Sequence, residues 1–169
     1  MHDDSRCDVN YVESKTPSES RVEMTELVLP NDTNLLGNLL GGRLMHWIDI
    51  AGAMVASRHS GRIVATVALD SLDFRHPARM GELVILRAKM TWAGRTSMEV
   101  KVSAYAENIK SGNVILTNKA YITYVALDEN GKPTPVPKLV PETEEEKKDF
   151  EEAAKRRIER LKRKSQENF

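Results

Sequence analysis

Asn34-Leu-Leu-Gly37-Asn-Leu-Leu-Gly41-Gly42 runs straight into an apolar segment that carries one carboxylate, Asp49. Trp47, Ile48 and Ile50 flank it, so Asp49 is expected to be carried inside with them. Buried carboxylates are rare unless they are paired or have a chemical task. The pattern leaves two roles open for Asp49: a hydrogen-bond acceptor at an internal packing site, or a reacting group. Other chemistries find little support. No Gly-x-Ser-x-Gly elbow occurs and the sole cysteine, Cys7, lies in a polar leader, so a serine or cysteine hydrolase is unsupported. His2, His46, His59 and His76 show no metal-ligand spacing. Gly37 to Gly42 makes neither a phosphate-binding loop nor a dinucleotide fingerprint.

The elements that must position these residues follow from periodicity. Leu44 to Val55 is apolar almost all the way round, with small residues Ala51, Gly52, Ala53 and Ala56 along its second half. Such a helix belongs in the middle of a protein, and it is expected from Gly42 to about His59, ending before Gly61. A short strand is expected over Arg21 to Val28, then four strand signals: Ile63 to Leu69, Leu83 to Trp92, Ser97 to Glu107 and Val114 to Leu127. In Ser97 to Glu107, Met98, Val100, Val102, Ala104 and Ala106 face one way while Glu99, Lys101, Ser103, Tyr105 and Glu107 face the other. Gly94 and Gly112 mark the intervening turns. Long antiparallel strands with one apolar face need a cover, and the single apolar helix is the candidate. The expected fold class is therefore α+β: a long curved antiparallel sheet wrapped around one central helix, the hotdog arrangement.

Residues 1 to 19 read as a flexible leader, 20 to 137 as the hotdog domain, and 138 to 169 as a proline-rich connector and a charged helix. Thr143 and Glu146 make a capping box for that helix, which runs to about Lys164. Its acidic first half and basic second half match the helix macrodipole. Phe150, Ala153, Ala154, Ile158 and Leu161 form only a thin apolar stripe, so loose docking on the body or on a neighbouring subunit is expected. The chain has 169 residues, enough for one domain with a real core. Lys+Arg and Asp+Glu are equal at 25 each, so nothing overall points to nucleic acid or an anionic membrane. No apolar run approaches the length that spans a bilayer, and the start lacks a signal-peptide core. With one cysteine and no disulfide framework, a cytoplasmic, reducing setting is expected.

The Asn34…Gly37…Gly41-Gly42…Asp49 spacing and the strand order resemble the cytosolic acyl-CoA thioesterase (acyl-CoA hydrolase) family of hotdog proteins. Val67-Ala-Leu-Asp-Ser-Leu-Asp-Phe74-Arg-His-Pro77, Gly81-Glu-Leu-Val, Gly94-Arg-Thr-Ser-Met-Glu-Val100 and Ala126-Leu-Asp-Glu-Asn-Gly-Lys-Pro133 follow in that family's order. The resemblance spans Thr25 to Pro137. It implies hydrolysis of acyl-CoA to a free acid and CoA without a metal or redox cofactor. It also implies homo-oligomers in which subunits pair edge to edge, commonly as trimers of dimers, with active sites at the pair interface.

Under that resemblance, backbone N–H groups at Gly41 and Gly42 would stabilise the oxyanion at the positive end of the helix dipole. Asp49 would act as general base on water, or as a nucleophile. Asn34 of the partner subunit would orient water or the substrate carbonyl. The turn Arg95-Thr96-Ser97 and the segment before Pro77 would line the CoA path, with Arg75, Arg79 and Arg95 as phosphate contacts. His46, one turn before Asp49, could line the site, although a packing role is commoner. Two rivals are a hotdog dehydratase or isomerase, which relies on a histidine near the helix start, and a non-catalytic acyl-CoA sensor.

Overall fold

In the computed structural model, which describes residues 13–167, the elements run β1 (Ser14–Lys15), β2 (Val22–Leu27), α1 (Gly41–Ser60), β3 (Ile63–Phe74), β4 (Leu83–Ala93), β5 (Ser97–Glu107), β6 (Val114–Leu127), β7 (Lys138–Leu139) and α2 (Glu144–Gln166). Five strands form one antiparallel sheet in the order β2-β4-β5-β6-β3, leaving β2 and β3 at its edges. The inner face is what alternation predicts: Met98, Val100, Val102, Ala104 and Ala106 of β5 are all buried. They meet Leu44, Ile48, Ala51, Val55 and Ala56 on one side of α1. Each large apolar side chain so buried stabilises the fold by about 1.5–3 kcal/mol. Gly61, in the left-handed region at φ 66, terminates α1 where the sequence places its end. This is the hotdog arrangement.

Three features differ from expectation. First, α1 is covered on one side only. Met45, Ile50 and Met54 are 39–42% exposed, and Gly42 and His46 lie open with them. The helix is apolar on this face too, and the sheet of one chain does not reach it.

Second, the boundaries at 19 and 137 fall inside packed structure. β1 pairs in parallel with β7, and Glu19 closes the turn after it by accepting from the Thr16 N–H at 2.7 Å. Ser20, Val136 and Leu139 are buried, and His59 near the end of α1 contacts the Pro137 carbonyl at 2.8 Å. Sparse apolar content hid this, because the segment is held by backbone hydrogen bonds and a proline. The leader's first twelve residues, with Cys7, lie outside the described residues.

Third, α2 is firmly seated across the outer face of the sheet. Asp149 takes Lys89 and Lys101, each at 3.2 Å. Glu99, only 2% exposed, takes Arg156 at 2.7 Å and also accepts from Thr91. Arg160 reaches Asp70 at 2.6 Å, and Arg157 donates to the Ser97 hydroxyl while lying over Trp92. Arg156 also lies over the Tyr121 ring. The partners of α2 are side chains of the sheet's outer face, Glu99 and Lys101 of β5 among them, so a count of apolar residues underestimates its docking.

Candidate active site

Asp49 sits in the middle of α1, half-buried, on the edge of the open face. Its Oδ1 accepts from the Thr66 hydroxyl at 2.8 Å and from the Tyr124 hydroxyl at 3.1 Å. The Tyr124 hydroxyl also lies 2.9 Å from the Asp49 carbonyl. Gly52 makes this possible: a Cβ there would collide with the Tyr124 hydroxyl as it crosses the helix to reach Asp49. Burial, and then the Asp49 charge, push the Tyr124 phenol well above its ordinary range, so it stays protonated as a donor. The carboxylate is thus fixed by two hydroxyls, and its Oδ2 has no hydrogen-bond partner among the described residues.

The head of α1 is uncapped. Leu40 occupies the cap position and no side chain bonds there, which leaves first-turn N–H groups directed outward. A Cβ at Gly42 would meet nothing within 4 Å, whereas one at Gly41 would touch the Phe74 ring of β3 at 3.5 Å. Arg43 is drawn aside to buried Asp32 at 3.1 Å. Gly42 and Asp49, seven residues apart, share one helix face and are separated by about 10 Å along the axis.

Asn34 is exposed in the loop before α1. Its Oδ1 accepts from the N–H groups of Leu36 and Asn38 at 3.0 and 3.1 Å, the ordinary turn role of an asparagine. Its amide nitrogen makes no hydrogen bond among the described residues. The loop is pinned to the Arg79 segment through Leu39 N–H to Ala78 O and Met80 N–H to Gly37 O.

The sequence of this chain closely matches known ones. The sequence profile of the Thioesterase superfamily matches residues 36–112. A Bacillus subtilis protein named uncharacterized acyl-CoA thioester hydrolase YkhA is 43% identical over 152 residues, which cover 90% of this chain and 88% of that protein. The chain belongs to the acyl-CoA thioester hydrolases of this superfamily. The structure of an apo-hexameric acyl-CoA thioesterase, 43% identical, superposes with TM-score 0.87 over 90% of this chain and 97% of the other. A Staphylococcus aureus acyl-CoA hydrolase, solved with butyryl coenzyme A, coenzyme A and coenzyme A disulfide, is 36% identical with TM-score 0.85, covering 90% and 93% of the two chains. Alanine variants of an asparagine, an aspartate and a threonine of that hydrolase have been solved, the three residues standing 15 and 17 positions apart in order.

Within this thioester hydrolase the candidate CoA residues divide. Arg75 and Arg79 lie near the head of α1, and Arg79 lines a cleft of about 740 Å³ with His76 and Lys110. Arg75 is paired with Asp73 at 3.0 Å and largely exposed. Arg95, Thr96 and Ser97 lie at the opposite end of the sheet. Ser97 pairs with Val125 while Arg75 N–H bonds Thr117 O, about 25 Å away along β6. One chain does not bring the two sets together, and the Ser97 hydroxyl is already taken by Arg157. A groove of about 670 Å³ on the outer face, lined by Arg21, Arg87, Lys89 and Lys101 among others, lies across the sheet from Asp49. Its Arg87 is paired with Glu23, and its Lys89 and Lys101 with Asp149, which makes it a poor competitor for the site. Thr66 and Tyr124 are absent from the sequence reading. Both are strand residues among similar strand residues, and only the missing side chain at Gly52 hints at Tyr124.

Proposed function

We propose that this chain hydrolyses acyl-CoA to the free carboxylic acid and CoA, with Asp49 as the general base. The observation that carries the proposal is the Asp49 carboxylate, fixed by Thr66 and Tyr124 on the open face of α1, with uncapped N–H groups two turns away. Asn34, Asp49 and Thr66 repeat the 15- and 17-residue spacing of the three residues varied in the Staphylococcus aureus hydrolase.

Asp49 takes a proton from water, and the resulting hydroxide attacks the thioester carbon. The carbonyl oxygen gains charge beside the Gly42 N–H, where the helix dipole favours it. Collapse breaks the C–S bond, and the proton held by Asp49 passes to the departing thiolate. About 10 Å between Gly42 and Asp49 leaves room for a carbonyl and a water, which supports base catalysis over direct attack. The reaction as proposed uses water and groups of this chain, with no metal or redox cofactor.

The partner in this proposal is a second copy of the chain. Met45, Ile50 and Met54 of α1 with Val67, Leu69 and Phe74 of the β3 edge strand form an exposed apolar surface, and an unpaired edge invites pairing. An edge-to-edge dimer of hotdogs covers it and brings the partner's Asn34 loop to Asp49; three dimers make the hexamer that the relative displays. Pairing also offers a way to unite Arg75 and Arg79 of one subunit with Arg95, Thr96 and Ser97 of another along one CoA molecule. A cytoplasmic setting fits the single cysteine, and no helix among the described residues is long and apolar enough to cross a membrane. Thiol release from a panel of acyl-CoAs tests the proposal. Turnover of at least one chain length is expected; an assembled protein that frees no thiol from any of them would overturn it.

A further inference from the structure

β3 is irregular where it matters most. Its ladder with β6 shifts register between Thr66 and Ala68 and again between Asp70 and Asp73. Within the second shift, Ser71 holds φ 55, the only non-glycine residue with positive φ among the described residues. A serine in that region is strained and persists only when its surroundings impose it. The surroundings are visible on both sides. Before the kink, Asp70 is bound by Arg160 of α2 at 2.6 Å, the two side chains 16% and 11% exposed. After it, the Asn118 side-chain amide donates to the Asp73 carbonyl at 2.8 Å. The kink separates Thr66, which bonds Asp49, from Phe74, whose ring lies against Gly41 at the head of α1.

We propose that Arg160 is a positioning residue for the active site: by clamping Asp70 it maintains the β3 kink that presents Phe74 to the head of α1. In a strand, a slip of one residue turns every following side chain to the opposite face. If the kink relaxed, Phe74 would leave Gly41 and the approach to the Gly42 N–H would change, while Thr66, upstream of the kink, would keep its place at Asp49. The C-terminal helix thereby acts on the reaction although it lies on the far side of the sheet. The proposal rests on the thioesterase reading of the site.

Arg156→Ala is the control, because it breaks a comparable pair from the same helix, to Glu99, and leaves the Arg160–Asp70 pair intact. Four proteins are compared as assembled full-length chains: wild type, Arg160→Ala, Arg156→Ala, and Arg160→Ala combined with Ser71→Gly. Thiol release gives kcat and KM, and hydrogen exchange reports on residues 70–74 independently of activity. Arg160→Ala is expected to lower kcat about tenfold with a smaller change in KM, and to speed exchange at residues 70–74. Arg156→Ala should keep kcat within about twofold. Ser71→Gly, which adopts positive φ without strain, should recover most of the kcat lost in Arg160→Ala. Equal kcat losses in the two single variants, or normal kcat and exchange in folded Arg160→Ala, would overturn the proposal. Faster exchange in Arg160→Ala beside a wild type that releases no thiol would instead overturn the thioesterase reading and leave the clamp standing.

Discussion

Gly52 and Tyr124 set the position of Asp49 as much as its own helix does. The phenol crosses α1 at Gly52, where no side chain blocks it, and ends on the carboxylate. Gly52→Ala should therefore displace Tyr124, cost about 1–3 kcal/mol by overpacking, and lower the hydrolysis rate together with the unfolding midpoint. Asp49→Asn should keep the packing and lower kcat at least about a hundredfold, the scale of a lost general base. Tyr124→Phe and Thr66→Ala remove one hydroxyl each and should cost less, about tenfold; larger losses than Asp49→Asn would assign the main role elsewhere. The carboxylate and the glycines were legible in sequence because they break the pattern of an apolar helix. Thr66 and Tyr124 were not, because a hydroxyl that points at a helix from a strand looks like any other strand residue until the register is known.

Among the elements, α1 and the long strands declare themselves through period, and their observed ends lie within a few residues of the expected ones except in β3. There the sequence reading stops at Leu69 and the strand continues through the kink to Phe74. α2 was read from its stripe, and its docking depends on pairs between its charges and those of the sheet, which no single-segment pattern displays. Arg156→Ala removes the guanidinium while the rest of α2 still covers Glu99, which is left with only Thr91. A buried charge stripped of its partner costs about 3 kcal/mol, so urea denaturation should show a drop of that order. An unchanged midpoint would return α2 to the loosely docked helix expected from its stripe. His59 supplies a pH signature at the other end of α1. Burial holds its imidazole below the ordinary value of 6.5, outweighing the Pro137 contact. The unfolded chain then binds the proton more readily, so stability is full above that value and falls as the pH drops below it, by at most about 1.4 kcal/mol per unit. Unfolding midpoints between pH 8 and 5 should show this decline, and His59→Gln should flatten it.

At the scale of the molecule, the proposed site is completed by a second copy of the chain. Asp49 looks onto an open face, the Asn34 loop projects Leu35 and Leu36 into solvent, and the β3 edge is unpaired. Sedimentation should find a dimer at least, with a hexamer as the expected form; a stable, active monomer would contradict the pairing. The most direct test of the account mixes two variants that are each inactive or nearly so, Asp49→Asn and Asn34→Ala, under conditions that exchange subunits. In a mixed dimer one site keeps both an intact Asp49 and an intact Asn34 from opposite subunits, while the other site loses both. Thiol release from acyl-CoA should therefore recover to about a quarter of the wild-type rate at equal proportions of the two variants, as two-fold symmetry requires. Mixtures that exchange fully and still release no more thiol than the separate variants would show that Asp49 and Asn34 do not meet across an interface, and would contradict the site as described.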